Sequence, residues 1–301
     1  MSFLVIGNIT KDTLIINDRA ICCFGGTSYA AITASKLGYN TSILTRGNFT
    51  IDNWRNFLEK KSIKVIVQKD RNVTSFVNDY SGCQRKQRLL EYTRKIIFDI
   101  PFNFDIIHLN PMYREIDIDL VNKARKKCKF LSLDAQGLVR NSKGKKVVAK
   151  SWVERDDYLE VIDFLKIGKD EINLVSKKRN FKRICEDLKS SGAKIIALTL
   201  GKRGSIIYGK EMHKIPAYVT EAVDETGAGD VYGASYAIRY YETKDEVDSG
   251  LFASASASFV VEGIGIKNIG NKIKVEKRCG VLKNIMNKHQ SQINLEQKDQ
   301  I

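Results

Sequence analysis

The sequence has few of the features that mark metal-binding, exported or membrane proteins. It contains 3 prolines, 3 widely separated histidines and 6 cysteines, none of them in a C-x-x-C pair. This scatter argues against a zinc site and favours reduced thiols. No apolar run approaches the roughly 20 residues of a membrane-spanning helix, and the first residues lack the basic start of an export signal. We therefore expect a cytoplasmic globular protein that does not interact with membranes.

The formal charge is +15, which raises the question of nucleic-acid binding. The segments 123–129 and 143–150 are candidate basic patches. However, the basic residues are spread through all the predicted helices and alternate with acidic ones, without aromatic neighbours on one element. We therefore expect no nucleic-acid partner and assign most of the charge to solvated surface.

Short runs of Val, Ile and Leu alternate with amphipathic segments along the chain. The predicted strands are 3–6, 42–45, 106–109, 130–134, 164–167 and 195–199. The predicted helices are 27–37, 52–60, 118–127, 181–190, 231–241 and 247–261. This alternation predicts an α/β fold, a mostly parallel central sheet with helices on both faces, forming a single domain over residues 1–285.

Two stretches depart from this alternation. Residues 13–24 and 65–92 alternate with the period of two that is typical of antiparallel strands, and we interpret them as a small β-sheet lid. The last segment, 286–301, is polar and is expected to be a frayed helix or a disordered tail.

The most informative segment, 224–234, reads D-E-T-G-A-G-D-V-Y-G-A and places a glycine-rich turn directly before a helical run. The backbone N–H groups of Gly227, Ala228 and Gly229 would project from a helix N-terminus, where anions bind. Asp230 would lie beside that site and could take a proton from an attacking hydroxyl. The alternative is a plain turn and a helix-capping aspartate, and the length of the pattern favours the site.

This segment resembles the D-T-x-G-A-G-D signature of the ribokinase-like (PfkB) carbohydrate kinases, with Glu225 in place of the usual Thr. The resemblance implies a ribokinase-like fold and an ATP-dependent phosphotransferase that uses Mg²⁺. It also implies that Gly227, Ala228 and Gly229 stabilise the transferring phosphoryl group and that Asp230 is the general base.

Two N-terminal segments resemble the family's substrate site. Gly25, Gly26 and Thr27 resemble the glycine pair that admits substrate at a helix start, although Ala30 stands near the position where many members have Asn. Asp12 lies where the family has an acidic residue that binds two substrate hydroxyls. A Gly-Gly turn before a packed helix, and an ordinary turn aspartate, remain the alternatives.

The nucleotide half has three further matches. Thr199, Gly201 and Gly204 resemble the T-x-G-x-x-G turn along the nucleotide phosphates, and Ala253 and Ser256 lie in a segment that resembles the small-residue helix beside the adenine. Glu171 resembles the acid of the N-x-x-E element that organises Mg²⁺ through water, with Gly168 in place of Asn. A first-turn helix acid is the alternative for Glu171.

The segments 133–140 and 80–88 resemble the archaeal and plant myo-inositol kinase branch of this superfamily. They add Gln136, Arg140 and Arg88 as candidate substrate-binding residues, and myo-inositol is the expected acceptor. A nucleoside, a sugar acid or a phosphorylated hexose is the alternative acceptor.

A basic nucleotide-binding or nucleic-acid-binding protein without turnover is the non-enzyme alternative. The chain lacks both the dinucleotide G-x-G-x-x-G after its first strand and a P-loop, so a dehydrogenase is disfavoured. We expect a monomer or a homodimer.

Overall fold

The computed structural model describes residues 1–16, 19–81 and 86–298, with side chains described as far as Lys288. The strands are β1 (Ser2–Ile6), β2 (Ile9–Ile16), β3 (Arg19–Gly26), β4 (Asn40–Gly47), β5 (Ile63–Lys69), β6 (Ser75–Asp79), β7 (Lys86–Glu91), β8 (Phe104–Leu109), β9 (Cys128–Asp134), β10 (Arg140–Lys143), β11 (Lys146–Ala149), β12 (Phe164–Gly168), β13 (Ile195–Thr199), β14 (Ser205–Tyr208) and β15 (Met212–Ile215). The helices are α1 (Thr27–Lys36), α2 (Asp52–Glu59), α3 (Ile118–Arg125), α4 (Arg155–Leu159), α5 (Ile172–Val175), α6 (Phe181–Ser190), α7 (Ala228–Thr243), α8 (Glu246–Val260) and α9 (Lys272–Lys298).

A nine-stranded sheet forms the centre of the molecule, in the order β15-β14-β13-β12-β9-β8-β1-β4-β5. Its strands from β13 to β5 pair in parallel, and only β14 and β15 add antiparallel pairs at one edge. The six strands and six helices predicted from the sequence are all present. Because the strands are parallel, their carboxyl ends share one edge of the sheet, where ligand sites form in such folds.

Both faces of the sheet are covered, which explains the nearly continuous apolar strands. Alternate side chains of β1 divide between the faces: Phe3 and Val5 pack with α1, α2, α7, α8 and α9, whereas Leu4 and Ile6 pack with α3, α4, α5 and α6. The core is therefore two apolar layers that hold the sheet rigidly beneath its carboxyl edge.

A separate six-stranded sheet, in the order β10-β11-β7-β6-β2-β3, corresponds to the predicted lid and is called the lid below. Two details of the predicted lid are wrong. Strand β5 belongs to the large sheet, where it pairs in parallel with β4, and the hairpin of β10 and β11 joins the lid through the pair Lys146 and Arg88. As an edge strand, β5 alternates buried and exposed residues much as a lid strand does. Residues 17–18 and 82–85 of the predicted lid lie outside the described residues.

The polar segment expected at 286–301 continues α9 as far as Lys298, and the last three residues lie outside the described range. Within the described ranges, none of the helices is both long enough and apolar enough to span a bilayer.

Candidate active site

A glycine turn at the start of α7 forms the centre of the site. Gly227 caps the helix in the left-handed region, with φ +81°, and a Cβ there would lie 2.3 Å from Cδ1 of Tyr29. Asp224 shapes the turn, because its Oδ1 accepts the N–H of Thr226 at 2.9 Å. Only glycine fits this position, and the backbone N–H groups at a helix start are a place where anions bind.

Asp230 follows in the first turn of α7, and its side chain is almost buried. Its Oδ1 accepts a hydrogen bond from Nδ2 of Asn110 at 3.0 Å. Burial and the negative charge of Asp134 raise the pKa of Asp230 from 3.8 to about 7, although Lys166 and Asn110 oppose the shift. A carboxyl group with a pKa near neutrality is suited to accept a proton from an alcohol.

An ion pair lies beside this carboxylate at the carboxyl edge of the sheet. Nζ of Lys166, from β12, is 2.9 Å from Oδ2 of Asp134 at the end of β9, and both side chains are buried. Two polar residues, Gln136 and Arg140, follow β9. When the Gln136 amide is oriented with its oxygen toward Arg140, that oxygen accepts from the guanidinium at 3.0 and 3.1 Å. Arg140 also lies over the ring of Phe76 in the lid.

A cavity of about 490 Å³ extends from the lid across the helix start toward α8. At the lid end it is lined by Gln87, Gln136 and Arg140, and Lys166 and Gly229 line its middle. Three predicted nucleotide-site residues line it as well, namely Thr199, Gly201 and Gly204. Gly204 has a φ of +82°, and a Cβ there would lie 2.0 Å from the carbonyl oxygen of Ile215.

Glu171 also lines the cavity, and its Oε2 accepts the N–H of Gly168 at 2.6 Å. Burial raises the pKa of Glu171, and the negative charge of Asp134 adds to the shift, while Lys166 opposes it. A Cβ at Gly168 would come within 3.2 Å of this carboxylate. The glycine at this position therefore leaves room for Glu171 at the cavity wall.

The predicted substrate residues lie at the junction of the lid and the large sheet. A Cβ at Gly25 would lie 2.9 Å from Oδ2 of Asp12, so the two residues are in close contact. Gly26, with φ +61°, leads into α1, and Thr27 is fully buried, with its N–H bonded to the carbonyl of Asn8. Asp12 and Gly25 thus lie side by side, whereas Gly26 and Thr27 hold the strand–helix junction together.

Comparison with known proteins agrees with this geometry. Residues 59–272 match the pattern of the pfkB family carbohydrate kinases. The chain belongs to this family. It is 30% identical over 267 residues to a nucleoside kinase of Methanothermobacter thermautotrophicus, covering 83% of each protein.

Two solved structures of pyrophosphate-dependent kinases in the ribokinase family are also similar. One, a sulfate complex, has a TM-score of 0.82 at 25% identity, and the other, with a pyrophosphate analog and myo-inositol, has a TM-score of 0.80 at 26% identity. Each comparison covers 91% of this chain and 99% of the other. The chain is therefore a ribokinase-like kinase, a phosphotransferase that acts on a hydroxyl group.

Nine of the predicted site residues of this PfkB kinase do not line the cavity, namely six around the acceptor side, Asp12, Gly25, Gly26, Thr27, Gly227 and Asp230, and the three residues Arg88, Ala253 and Ser256. Ala253 and Ser256 are fully buried, and Ser256 bonds to Ser235 of α7. The other side of α8 lines the cavity instead, with Ser254, Ala257 and Ser258. In the lid, Arg88 is exposed and its neighbour Gln87 lines the cavity. The placements of Ala253, Ser256 and Arg88 share one cause, since the sequence located the elements correctly but did not fix which face meets the cavity.

Sequence reasoning missed Asn110, Asp134 and Lys166 as site residues of this kinase. Asn110 follows β8 directly and Asp134 ends β9, so both occupy carboxyl ends of parallel strands, where polar residues are expected at a site. Lys166 is a charged residue inside the otherwise apolar strand β12, which is a rare placement unless the charge is paired. These two signals were present in the sequence.

Proposed function

We propose that this kinase transfers the γ-phosphoryl group of ATP to a hydroxyl of a small polyol, that myo-inositol is the preferred acceptor, and that Asp230 is the general base. The observation that carries the proposal is the buried Asp230 carboxylate, fixed by Asn110 at 3.0 Å directly beside the amides that begin α7. A base and an anion site in contact are what hydroxyl phosphorylation requires.

In the proposed reaction the acceptor hydroxyl gives its proton to Asp230 as its oxygen forms a bond to the γ-phosphorus. The bond between that phosphorus and the bridging oxygen breaks, and ADP leaves with the electron pair. The amides of Gly227, Ala228 and Gly229 would donate to the oxygens of the transferring group. General base catalysis contributes about 10² to 10⁴ in rate, and positioning and charge neutralisation supply the remainder.

Glu171 is the residue that would organise Mg²⁺ through water. Its carboxylate lines the cavity and has acceptor capacity beyond the bond to Gly168. Within the described part of the chain no group of three His, Cys, Asp or Glu side chains could hold a metal, which fits an ion that retains most of its waters. Bound Mg²⁺ would neutralise charge on the phosphate oxygens.

Two features support a nucleotide as the donor. Beyond the phosphate turns, the cavity continues between the segment 217–222 and α8, where small and apolar residues including Ala217, Ala257 and Val261 line it. This extension would be unnecessary for pyrophosphate, the donor of the two similar solved kinases. Lys169 and Lys202 line the same cavity and would attract the phosphate chain of ATP.

The acceptor side favours a compact, hydroxylated ligand. Asp12 and Asp230 are both less than a tenth exposed, and the Tyr29 ring fills the space between Gly25 and Gly227. Phe76 and Leu89 of the lid are buried and so offer no surface on which a base could stack, and the apolar lid residues that line the cavity, Val147, Val148 and Ala149, are aliphatic. A ring that offers only hydroxyls fits this enclosure better than a nucleoside does.

A nucleoside is the second candidate, because the sequence relative described above is a nucleoside kinase. A panel of myo-inositol, ribose, nucleosides, sugar acids and phosphorylated hexoses, each assayed with ATP and with pyrophosphate, separates the candidates. We expect release of ADP with myo-inositol. Turnover of a nucleoside with none of myo-inositol would remove the first acceptor, and turnover with pyrophosphate alone would remove ATP.

A further inference from the structure

Lys166 has no role in the reaction described so far, yet it occupies the middle of the cavity wall. It lies in β12 between apolar residues and is 2% exposed. Its ammonium is paired with Asp134 at 2.9 Å, and neither side chain is more than 3% exposed. A fully buried ion pair needs an explanation, because its loss of solvation commonly offsets its attraction, and apolar residues of similar volume can replace it without loss of stability.

The position of the ammonium provides that explanation. A Cβ added at Gly229 would lie 2.8 Å from Nζ of Lys166 and 3.5 Å from its Cε. Nζ is therefore adjacent to the amides that form the anion site. Lys166 also lines the cavity together with Gly229, so a ligand in the cavity can contact both of them.

The ionisable groups that act on or around this ammonium come from three strands, from the residue that precedes α5 and from α7. They are His108, Asp134, Arg140, Glu171, Asp230 and Tyr232. Burial lowers the pKa of Lys166, but the negative charges of Asp134 and Glu171 raise it by more, and the pKa ends above its ordinary value. Burial lowers the pKa of His108 to about 4, so this imidazole adds no positive charge at neutral pH. Lys166 is thus a permanent cation at the anion site.

We propose that Lys166 is a catalytic residue that contacts the phosphoryl group during its transfer, and that Asp134 is the positioning residue that holds its ammonium against Gly229. This inference rests on the phosphoryl transfer proposed above. In the transfer, the acceptor proton goes to Asp230 and the electron pair of the broken P–O bond leaves with ADP. Lys166 keeps all its protons and forms no covalent bond. Its contribution is electrostatic, because its positive charge stabilises the negative charge that develops on the phosphoryl and bridging oxygens.

A charge in this position has a second effect. The Lys166 ammonium lowers the pKa of Asp230, against the raising effects of burial and Asp134. Removing Lys166 is therefore expected to raise the pKa of Asp230 further and to move the acidic limb of the kcat–pH profile upward. A residue that only fills space in the core would leave this limb unchanged.

The decisive experiment replaces the pair by apolar residues of similar size, in the double variant Lys166→Met with Asp134→Leu. Because such replacements commonly preserve or increase stability, we expect a folded protein with a Tm near that of the wild type. Its kcat should fall by about 10² to 10³, the loss typical of one group that stabilises developing charge. The assay uses the donor and acceptor that the wild type turns over fastest, so an error in the proposed acceptor does not affect the result.

The single variant Lys166→Ala supplies a second readout. Methylammonium or ethylammonium, added at millimolar concentration, is expected to restore part of the lost kcat by occupying the vacated space. The matched control is Lys129→Met on the same sheet. It breaks an ion pair in which Nζ of the exposed Lys129 is 2.8 Å from Oδ1 of Asp105. We expect the control to keep kcat within about twofold, because exposed ion pairs contribute little.

Two outcomes would overturn the inference. One is a folded double variant with a kcat within about threefold of the wild type. The other is a Lys166→Ala protein that folds and loses activity but is not rescued by any small ammonium and keeps the wild-type pH profile. If the wild type itself phosphorylates no acceptor, the proposed function fails, and that result is distinct from both of these.

Discussion

Asp230 is expected to reduce the stability of the protein while it provides activity, and the variant Asp230→Asn separates the two effects. The asparagine keeps the shape of the side chain, and its oxygen can still accept the hydrogen bond from Asn110. It removes both the proton acceptor and the buried charge. We expect kcat to fall by at least about 10², with ATP binding largely retained.

The effect on stability follows from the pKa of Asp230, which burial and Asp134 raise from 3.8 in the unfolded chain to about 7 in the folded protein. The folded state therefore binds the proton more tightly than the unfolded chain does. The proton bound to Asp230 therefore stabilises the native state fully below pH 4, and this stabilisation is lost as the pH rises to 7. At about 1.4 kcal/mol per pKa unit, ionisation above pH 7 costs the native state about 4 kcal/mol. Between pH 5 and pH 8 the loss is about 3 kcal/mol.

Thermal unfolding at a series of pH values measures this difference. The variant cannot ionise at this position, so its Tm should exceed that of the wild type at pH 8 by several degrees, and the gap should narrow by about 5 °C at pH 5. Nucleotide binding by calorimetry shows whether the site stays intact. The reasoning is refuted if the Tm difference is independent of pH, or if the variant keeps wild-type turnover.

Three further changes test other parts of the site. Glu171→Gln should raise the Mg²⁺ concentration required for half-maximal rate by about 10-fold, measured by titration with the metal, because one acceptor of the hydrated ion is weakened. Gly227→Ala should lower the free energy of unfolding, measured in urea, by at least ~2 kcal/mol, because the added Cβ combines φ +81° with a clash against the Tyr29 ring. The control Gly280→Ala, which has open space around it, should not destabilise the protein. Asp12→Asn should raise the KM of the acceptor about 10-fold or more and leave the KM of ATP unchanged, and equal effects on both would contradict a role in acceptor binding.

The extent to which the sequence predicted this fold depended on the strength of each local signal. The six predicted strands of the large sheet contain short apolar runs, and the predicted helices have a clear three- and four-residue spacing, so both were predictable. Strand β5 was assigned to the lid because an edge strand and a lid strand show the same alternation. The β10–β11 hairpin was not predicted as part of the lid, because its pairing with β7 joins residues about 60 positions apart.

Within the site, the sequence by itself determined the chemistry of one segment. The glycine turn and Asp230 are consecutive in the chain. Any fold with a helix at Val231 would therefore keep them close together. The roles of Asn110, Asp134 and Lys166 required the tertiary structure, because each lies in or directly after a different strand. Only the parallel sheet, by aligning the carboxyl ends of β8, β9 and β12, places an amide, a carboxylate and an ammonium around one helix start.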